Sequence, residues 1–300
     1  MTGGGRPESG PPLTALADWR LPVRGEAAVD LAFRYRVPGI QFDLGGPGRG
    51  PLLDAPGRLA RLARTARAAG VVPLAVTGNV LNDIGLTAPE GTLAAARVQD
   101  VLRRLLDAAA GLGAPLVFVP SFRRSAIDTE TALRRTALVL RAAAERAAAR
   151  GLVLASENTL TPRASLRLID EVGSPAFRLL LDTYNARAAG LDPVALVTTA
   201  GAHLADQVHA KDGPAGADAT PLLGEGDGEV GSTLAAMAAH GPPVRALVLE
   251  NDHRAGDATR LCADLDRLRA LAARLRRGPG TTVADHSAEA KETAGTWASR

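Results

Sequence analysis

Four ionisable residues in the second half of the chain each end a short apolar run. They are Glu157 in "GLVLASEN", Asp182 in "FRLLLDTYN", His209 in "LADQVHAKD" and Glu250 in "RALVLEND". Three carboxylates and one imidazole can bind a divalent ion such as Mn²⁺, Mg²⁺, Co²⁺ or Zn²⁺ and leave room for substrate oxygens. Without a cation, clustered carboxylates would raise one another's pKa and disfavour the ionised forms. Each acid taken singly also suits an ordinary loop residue or helix N-cap, so the metal interpretation depends on their joint placement.

Lys211 follows His209 by two residues and is one of two lysines in a chain whose other basic residues are arginines. Alternation along a strand places these two side chains on the same face. We therefore expect Lys211 to point at an anionic or carbonyl oxygen of a substrate. The alternative interpretation is an ion pair at the rim with Asp212 or Glu225.

Short apolar runs rich in β-forming residues alternate with longer amphipathic helical patterns. The predicted strands cover 13–21, 39–45, 71–79, 115–122, 151–158, 177–185, 204–212 and 245–252. The predicted helices cover roughly 26–36, 54–69, 92–111, 129–149, 162–172, 192–202, 231–239 and 256–275. Gly70, Gly111 and Gly151 stand where a helix C-cap would release the chain into the next strand. This alternation predicts an α/β fold with a parallel sheet covered by helices.

Eight such units favour a closed (β/α)₈ TIM barrel over an open doubly wound sheet. The open sheet would carry a G-x-G-x-x-G turn after its first strand, and the sequence has none there. Chemistry in a barrel lies at the C-terminal ends of the strands. The barrel therefore delivers the four residues to one rim, on strand faces shared with Ala155, Leu180, Gln207 and Val248.

Composition excludes several other classes of protein. The net charge is +3, and the arginines are interleaved with acids, which disfavours nucleic acid as a partner. The single cysteine, Cys262, excludes a disulfide framework and cysteine-rich metal sites. The sequence shows neither a signal peptide nor a membrane span, so we expect a cytoplasmic protein. Residues 1–12 and 277–300 are predicted to be disordered tails flanking one barrel domain at 13–276.

The sequence resembles a known family. The strings "SENT", "LLLDTYNARAAGLDPV", "VHAKDG", "PLLGEGDGEV" and "LVLEND" are similar to the sugar phosphate isomerase/epimerase family, whose members have the xylose isomerase-like TIM barrel. Ketose 3-epimerases and inosose isomerases and dehydratases are related, and the family 2 AP endonucleases are more distant. The resemblance covers about residues 13–275, and "GIQFD" and "NVLNDIGL" are its most suggestive pieces in the first half.

The resemblance implies roles for particular residues. Glu157, Asp182, His209 and Glu250 become the ligands of one divalent ion, with Mn²⁺ favoured, and Glu157 and Glu250 also become the acid/base groups. Such an ion binds a carbonyl and its adjacent hydroxyl, lowers the pKa of the intervening C–H and stabilises the enediolate, while a carboxylate moves the proton. The implied function is an isomerase or epimerase of a sugar, cyclitol or related hydroxy-ketone in carbohydrate metabolism.

Residues that follow the strand ends are candidates for substrate binding. They are Trp19, Asn79, Phe122, Asn185, Lys211 and Glu225. Asn185 departs from the family pattern, because many relatives carry histidine three residues after the aspartate; asparagine can bond a hydroxyl but is a poor zinc ligand and not an acid/base group. Too few rim histidines remain for the endonuclease arrangement.

Two alternatives remain open. Loss of a β-hydroxyl from the same enediolate would make the protein a dehydratase or lyase, and a barrel without catalysis would act as a binding subunit. We expect a small-molecule substrate, neither nucleic acid nor membrane as a partner, and association of barrels into a homo-oligomer.

Overall fold

Eight parallel strands form a closed barrel in the order β1 to β8, and β8 pairs with β1. The computed structural model describes residues 11–213 and 221–277. The strands are β1 Leu13–Ala17, β2 Gly39–Asp43, β3 Val72–Thr77, β4 Leu116–Pro120, β5 Val153–Glu157, β6 Phe177–Asp182, β7 Leu204–Ala210 and β8 Ala246–Leu249. This confirms the predicted (β/α)₈ TIM barrel.

Helices cover the outside of the barrel. They are α1 Glu26–Arg34, α2 Arg58–Ala69, α3 Leu81–Ile84, α4 Leu93–Leu112, α5 Glu130–Ala148, α6 Pro162–Val172, α7 Asn185–Ala188, α8 Pro193–Ala200, α9 Val230–His240 and α10 Ala258–Arg277. The one-turn helices α3 and α7 were not predicted. Within the described ranges, none of these helices is long and apolar enough to cross a membrane.

The apolar core has two layers. One layer lies between the helices and the outward faces of the strands. The other fills the barrel and consists mainly of small or aliphatic side chains such as Ala15, Ala75, Ala155 and Leu180, with Phe118 near the rim. Small residues are needed here because the interior of an eight-stranded barrel is only wide enough for packed side chains.

The strands end earlier than predicted, and at three places on the rim a side-chain carboxylate accepts a backbone N–H beyond or beside the strand end. Asp18 Oδ1 accepts the N–H of Asp43 at 3.0 Å, and Asp43 Oδ1 accepts the N–H of Asn79 at 3.0 Å. Asp182 Oδ1 accepts the N–H groups of Tyr184 and Asn185. Each carboxylate thereby turns the chain away from the ladder into a loop.

The shorter strands move several predicted positions off the sheet. Trp19 lies in a 3₁₀ turn at Asp18–Arg20. Lys211 and Glu250 each follow the last residue of a strand, and Asn185 begins α7. These residues therefore project from rim loops, where side-chain direction is set by turns and not by strand alternation.

The predicted glycine caps were right at one position of three. Gly70 caps α2 with φ +66°. Gly111 lies inside α4, and Gly113 is the left-handed cap; Gly151 lies two residues beyond the Ala149 cap of α5. A Cβ at Gly111 would lie 2.5 Å from Leu59 Cδ2, so α4 packs closely on the Leu59 side chain of α2 at this position.

The predicted domain boundaries stay predictions. Residues 1–10 and 278–300, most of the two predicted tails, lie outside the described residues. Arg277 is the last residue of α10.

Candidate metal centre

The four predicted ligands meet at the C-terminal rim of the barrel. Glu157 and Asp182 end β5 and β6, His209 is the penultimate residue of β7, and Glu250 follows β8. All four side chains are buried, and each offers a ligand atom within 4.8 Å of the others. The prediction that the fold brings these residues together is confirmed.

Three atoms of this cluster lack ordinary partners. Asp182 Oδ2, His209 Nδ1 and Glu250 Oε2 are buried and accept or donate no hydrogen bond within the described part of the chain. His209 Nδ1 lies 3.8 Å from Glu157 Oε2 and 3.6 Å from Glu250 Oε2. A buried polar atom without a partner costs roughly 1–3 kcal/mol. A cation shared by the cluster would satisfy all of them at once, so the donor set fits a divalent metal ion.

The second oxygen of Glu250 is held by residues that follow β1. Trp19 Nε1 donates to Glu250 Oε1 at 2.9 Å, and Arg20 donates to it from Nε and Nη2 at 3.1 and 3.0 Å. Burial alone would raise the pKa of Glu250, but the charges of Arg20 and Lys211, together with His209, outweigh burial and hold the pKa well below its usual range. Glu250 is therefore an anion whose free oxygen, Oε2, faces the cluster.

Asn185 and Lys211 form the other side of the site. Asn185 Nδ2 donates to Glu157 Oε1 at 2.7 Å, and Lys211 Nζ donates to Asn185 Oδ1 at 2.9 Å. Lys211 Nζ also lies 3.7 Å from Glu250 Oε2. The ammonium group thus joins the cluster, and the alternative of an ion pair with Asp212 or Glu225 is wrong.

Glu225 does not reach the cluster, in contrast to its predicted role in substrate binding. Its exposed carboxylate pairs with Arg267 of α10. The reason lies in Asp212, whose buried carboxylate accepts the backbone N–H groups of Gly224, Gly226 and Gly228 at 2.8, 3.1 and 2.9 Å. A loop folded around Asp212 in this way has its glycines inward and its acidic side chains outward.

The remaining predicted residues lie at different distances from the four candidate ligands. Trp19 is buried and its ring centroid lies 6.0 Å from that of His209. Asn79 and Phe122 are half-buried, and their backbone N–H groups bond Asp43 and Asn82. Neither forms a hydrogen bond to the four ligands in the ranges that the structure describes, so their role in substrate binding stays a prediction.

Arg20 and Gln41 bond two of the candidate ligands but were not predicted. Gln41, in β2, lies 2.9 Å from His209 Nε2 through its Oε1 atom. Arg20 was hidden among the many arginines of the chain, and its position directly after Trp19 at a strand end was the available signal. Gln41 could have been found as a polar residue inside a strand that is otherwise apolar apart from its final aspartate.

Ionisation of the cluster depends on whether a cation is present. Burial raises the pKa of Asp182 to about 7, with the charges of Glu250 and Glu157 adding to the rise. Burial would lower the pKa of His209, but the carboxylates of Glu157 and Glu250 outweigh it and raise the pKa to about 10. Burial also raises the pKa of the nearby rim residue Asp18 to about 7. Without metal, the folded protein therefore retains protons at these sites.

We expect the metal-free protein to lose thermal stability as the pH rises from 5 to 9. Protonated Asp182 and Asp18 favour folding below about pH 4, and that contribution is lost as the pH rises through about 7. The His209 contribution is complete below pH 6.5 and is lost towards about pH 10. Calorimetric Tm values of chelator-treated protein at several pH values measure this fall.

The metal-loaded protein is the control for that experiment. A bound cation stabilises the deprotonated ligands, so its Tm should vary less with pH over the same range. A metal-free protein as stable at pH 9 as at pH 5 would contradict the expectation.

This chain is similar to known proteins in both sequence and fold. Residues 29–275 match the model of a family described as xylose isomerase-like TIM barrel. A curated relative from Actinoplanes sp. (strain SE50/110), named 2-epi-5-epi-valiolone 7-phosphate 2-epimerase, is 53% identical over 261 residues, which cover 87% of this chain and 95% of the relative.

Two solved structures share the fold at low sequence identity. D-psicose 3-epimerase from Clostridium cellulolyticum H10, solved with D-tagatose, has a TM-score of 0.67 and 16% identity, covering 87% of this chain and 99% of its own. The IolI protein, solved with a zinc atom, has a TM-score of 0.70 and 13% identity, covering 88% of this chain and 99% of its own. At these identities the two structures show the likeness of the fold alone.

Proposed function

Because this chain belongs to the xylose isomerase-like TIM barrel family, we propose that it is a divalent-metal-dependent epimerase of a phosphorylated cyclitol or related hydroxy-ketone. The observation that carries the proposal is the buried cluster of Glu157, Asp182, His209 and Glu250, found in a chain 53% identical to an enzyme named as an epimerase. The name of this relative supplies the substrate class that we propose.

The charges around the cluster suit an anionic substrate. The three carboxylates are offset by one divalent ion together with Arg20 and Lys211, which leaves an excess of one positive charge at the rim. Both cationic side chains are partly exposed, at 25% for Arg20 and 18% for Lys211, so each can reach a ligand. A phosphate group on the substrate would complement this excess.

Each residue of the site has a proposed task. A divalent ion bound by the four ligands would polarise the substrate carbonyl and stabilise the enediolate formed when the neighbouring proton is lost. Glu157 Oε2 and Glu250 Oε2 face the cluster, and we assign one to remove the proton from carbon and later release it to solvent. The other takes up a proton from solvent and delivers it on the opposite face of the substrate carbon. The remaining oxygens are held by Asn185, and by Trp19 and Arg20, so the carboxylates stay oriented.

Lys211 would donate a hydrogen bond to a substrate oxygen. Its Nζ already lies between Asn185 Oδ1 and Glu250 Oε2, which fixes the ammonium group beside the carboxylates that move the proton. Asn185 holds both Glu157 and Lys211, so it couples the acid/base group to the substrate-binding cation. This is a task that asparagine performs without ionising.

The test is conversion of 2-epi-5-epi-valiolone 7-phosphate by the metal-loaded protein in D₂O, followed by ¹H and ³¹P NMR. We expect inversion at one carbon with incorporation of one deuterium there, loss of activity with a chelator, and recovery with Mn²⁺. The dephosphorylated compound is the matched comparison, and its kcat/KM should be lower by about 10-fold or more if one charge-assisted contact of about 1.5–3 kcal/mol is lost.

Other outcomes of this experiment contradict the proposal in distinguishable ways. Loss of water from the substrate would identify a dehydratase. If a protein shown to contain metal incorporated no deuterium, it would not abstract a proton from this class of compound. Equal turnover of the phosphorylated and dephosphorylated compounds would contradict phosphate recognition but not epimerisation.

A further inference from the structure

Two buried glutamines lie inside the barrel beneath the candidate metal centre. Gln41, in β2, and Gln207, in β7, are both fully buried in an interior of mainly alanine and leucine. Burying an amide in an apolar environment costs free energy unless its donors and acceptors are bonded. Aliphatic residues of similar size would fill this space without that cost, so the polar pair calls for an explanation other than packing.

The two amides form an ordered chain of hydrogen bonds. Gln207 Nε2 donates to the backbone oxygen of Leu74 at 2.9 Å. Gln41 Nε2 donates to Gln207 Oε1 at 2.8 Å. Gln41 Oε1 lies 2.9 Å from Nε2 of His209. The chain therefore runs from a fixed main-chain atom of β3 to the imidazole ring of the candidate ligand.

Only one direction of hydrogen bonding satisfies this chain. A backbone carbonyl oxygen can only accept, so the amide nitrogen of Gln207 must face Leu74, and its oxygen must face Gln41. Gln41 Nε2 then donates to Gln207 Oε1, and Gln41 Oε1 must face the imidazole ring of His209. An oxygen facing Nε2 requires a hydrogen on Nε2. The hydrogen bonds thus place the ring proton on the side of His209 away from the other three ligands.

We propose that Gln41, held by Gln207, is a positioning residue that fixes His209 with its hydrogen on Nε2 and so presents the Nδ1 lone pair to the metal ion. Nδ1 is the ring atom that has no hydrogen-bond partner among the described residues and that faces Glu157 and Glu250. Outer partners of this kind set the tautomer and orientation of metal-binding histidines. The inference rests on the metal site of the proposed function and assigns what orients one of its ligands.

The aromatic neighbours of His209 pack on its ring but do not fix which nitrogen faces the metal site. The hydrogen bond to Gln41 does. Phe118 approaches the imidazole ring edge-on, with centroids 5.1 Å apart, and Trp19 lies on another side. These contacts confine the ring, but neither accepts a hydrogen bond from Nε2. Rotating the ring by half a turn would keep the packing and lose the bond to Gln41.

The test uses Gln41→Leu and Gln207→Leu, with Thr77→Val as the control. Thr77 is also fully buried, and its hydroxyl has no partner within the described ranges, so its replacement removes a polar atom at nearly constant size without touching the chain. Zn²⁺ affinity is measured by competition with a chelating indicator. Long-range ¹H–¹⁵N spectra of the zinc-loaded, histidine-labelled protein show which nitrogen of His209 carries the hydrogen.

We expect Gln41→Leu to weaken Zn²⁺ binding by about 10–100-fold and to remove the Nε2–H signal of His209. Gln207→Leu should weaken binding less, because Gln41 keeps its oxygen but loses the partner that orients it. Thr77→Val should match the wild type in both measurements. If either glutamine variant fails to fold, the other still tests the role of these hydrogen bonds.

Wild-type Zn²⁺ affinity together with an unchanged Nε2–H signal in a folded Gln41→Leu or Gln207→Leu protein would overturn the assignment. So would a wild-type protein whose zinc-bound His209 carries its hydrogen on Nδ1. These results differ from failure of the proposed function, which would show as a wild-type protein that binds no metal or as a metal-loaded protein that does not exchange substrate hydrogen.

Discussion

Replacement of Glu157 by glutamine is expected to lower the turnover of epimerisation by about 10²–10⁴-fold, the usual contribution of a positioned acid/base group. Glutamine has nearly the same shape and keeps an oxygen that can accept from Asn185 Nδ2, as Glu157 Oε1 does at 2.7 Å. It cannot take up a proton from carbon. The change therefore removes the chemistry of Glu157 Oε2 and largely preserves the packing around it.

Glu225→Gln is the matched control, since it makes the same chemical change on an exposed carboxylate that pairs with Arg267. Its turnover should equal that of the wild type. Metal content of both variants is measured alongside deuterium exchange, because weaker metal binding would also lower the rate. A Glu157→Gln protein that contains metal and keeps a tenth or more of wild-type turnover would remove Glu157 from the proton transfer.

Replacement of His209 by alanine is expected to weaken binding of a divalent ion by more than about 100-fold, the upper range for changes to outer partners of a metal site. The fully buried imidazole is the cluster's one nitrogen ligand, and Nδ1 lies 3.6 Å from Glu250 Oε2. Elemental analysis should find about one ion per wild-type chain and far less in the variant. The rise in Tm on adding metal should disappear with it.

His240→Ala controls for loss of an imidazole elsewhere. His240 is the exposed last residue of α9, so its variant should retain both the metal and the metal-induced rise in Tm. If the His209→Ala protein kept a full complement of metal at wild-type affinity, the ion would lie elsewhere and the assignment of the cluster would be wrong.

The barrel and its ligand cluster were predictable because both depend on local patterns that repeat. Each of the last four strands ends an apolar run with one ionisable residue, and parallel strands in a barrel bring their ends to one rim. Sequence alone therefore placed Glu157, Asp182, His209 and Glu250 together. The resemblance to a known family assigned them as ligands independently of that placement.

Contacts between distant segments were not predictable in the same way. Arg20 bonds a carboxylate 230 positions away, and Gln41 bonds an imidazole 168 positions away. Contacts across such separations produce no local sequence pattern, and Arg20 does not stand out among the many arginines of the chain. Glu225 was misplaced for a related reason, because its direction depends on the backbone N–H groups that Asp212 collects from across a turn.

The junction between β1 and β8 has a consequence for biosynthesis. Trp19 and Arg20, near the start of the chain, hold Glu250, which leaves the ribosome only after seven strands have been made. A nascent chain at that stage carries three of the four candidate ligands, and β1 does not yet have β8 to pair with. The pairing of β8 with β1 that closes the sheet is thus the same step that completes the candidate metal centre.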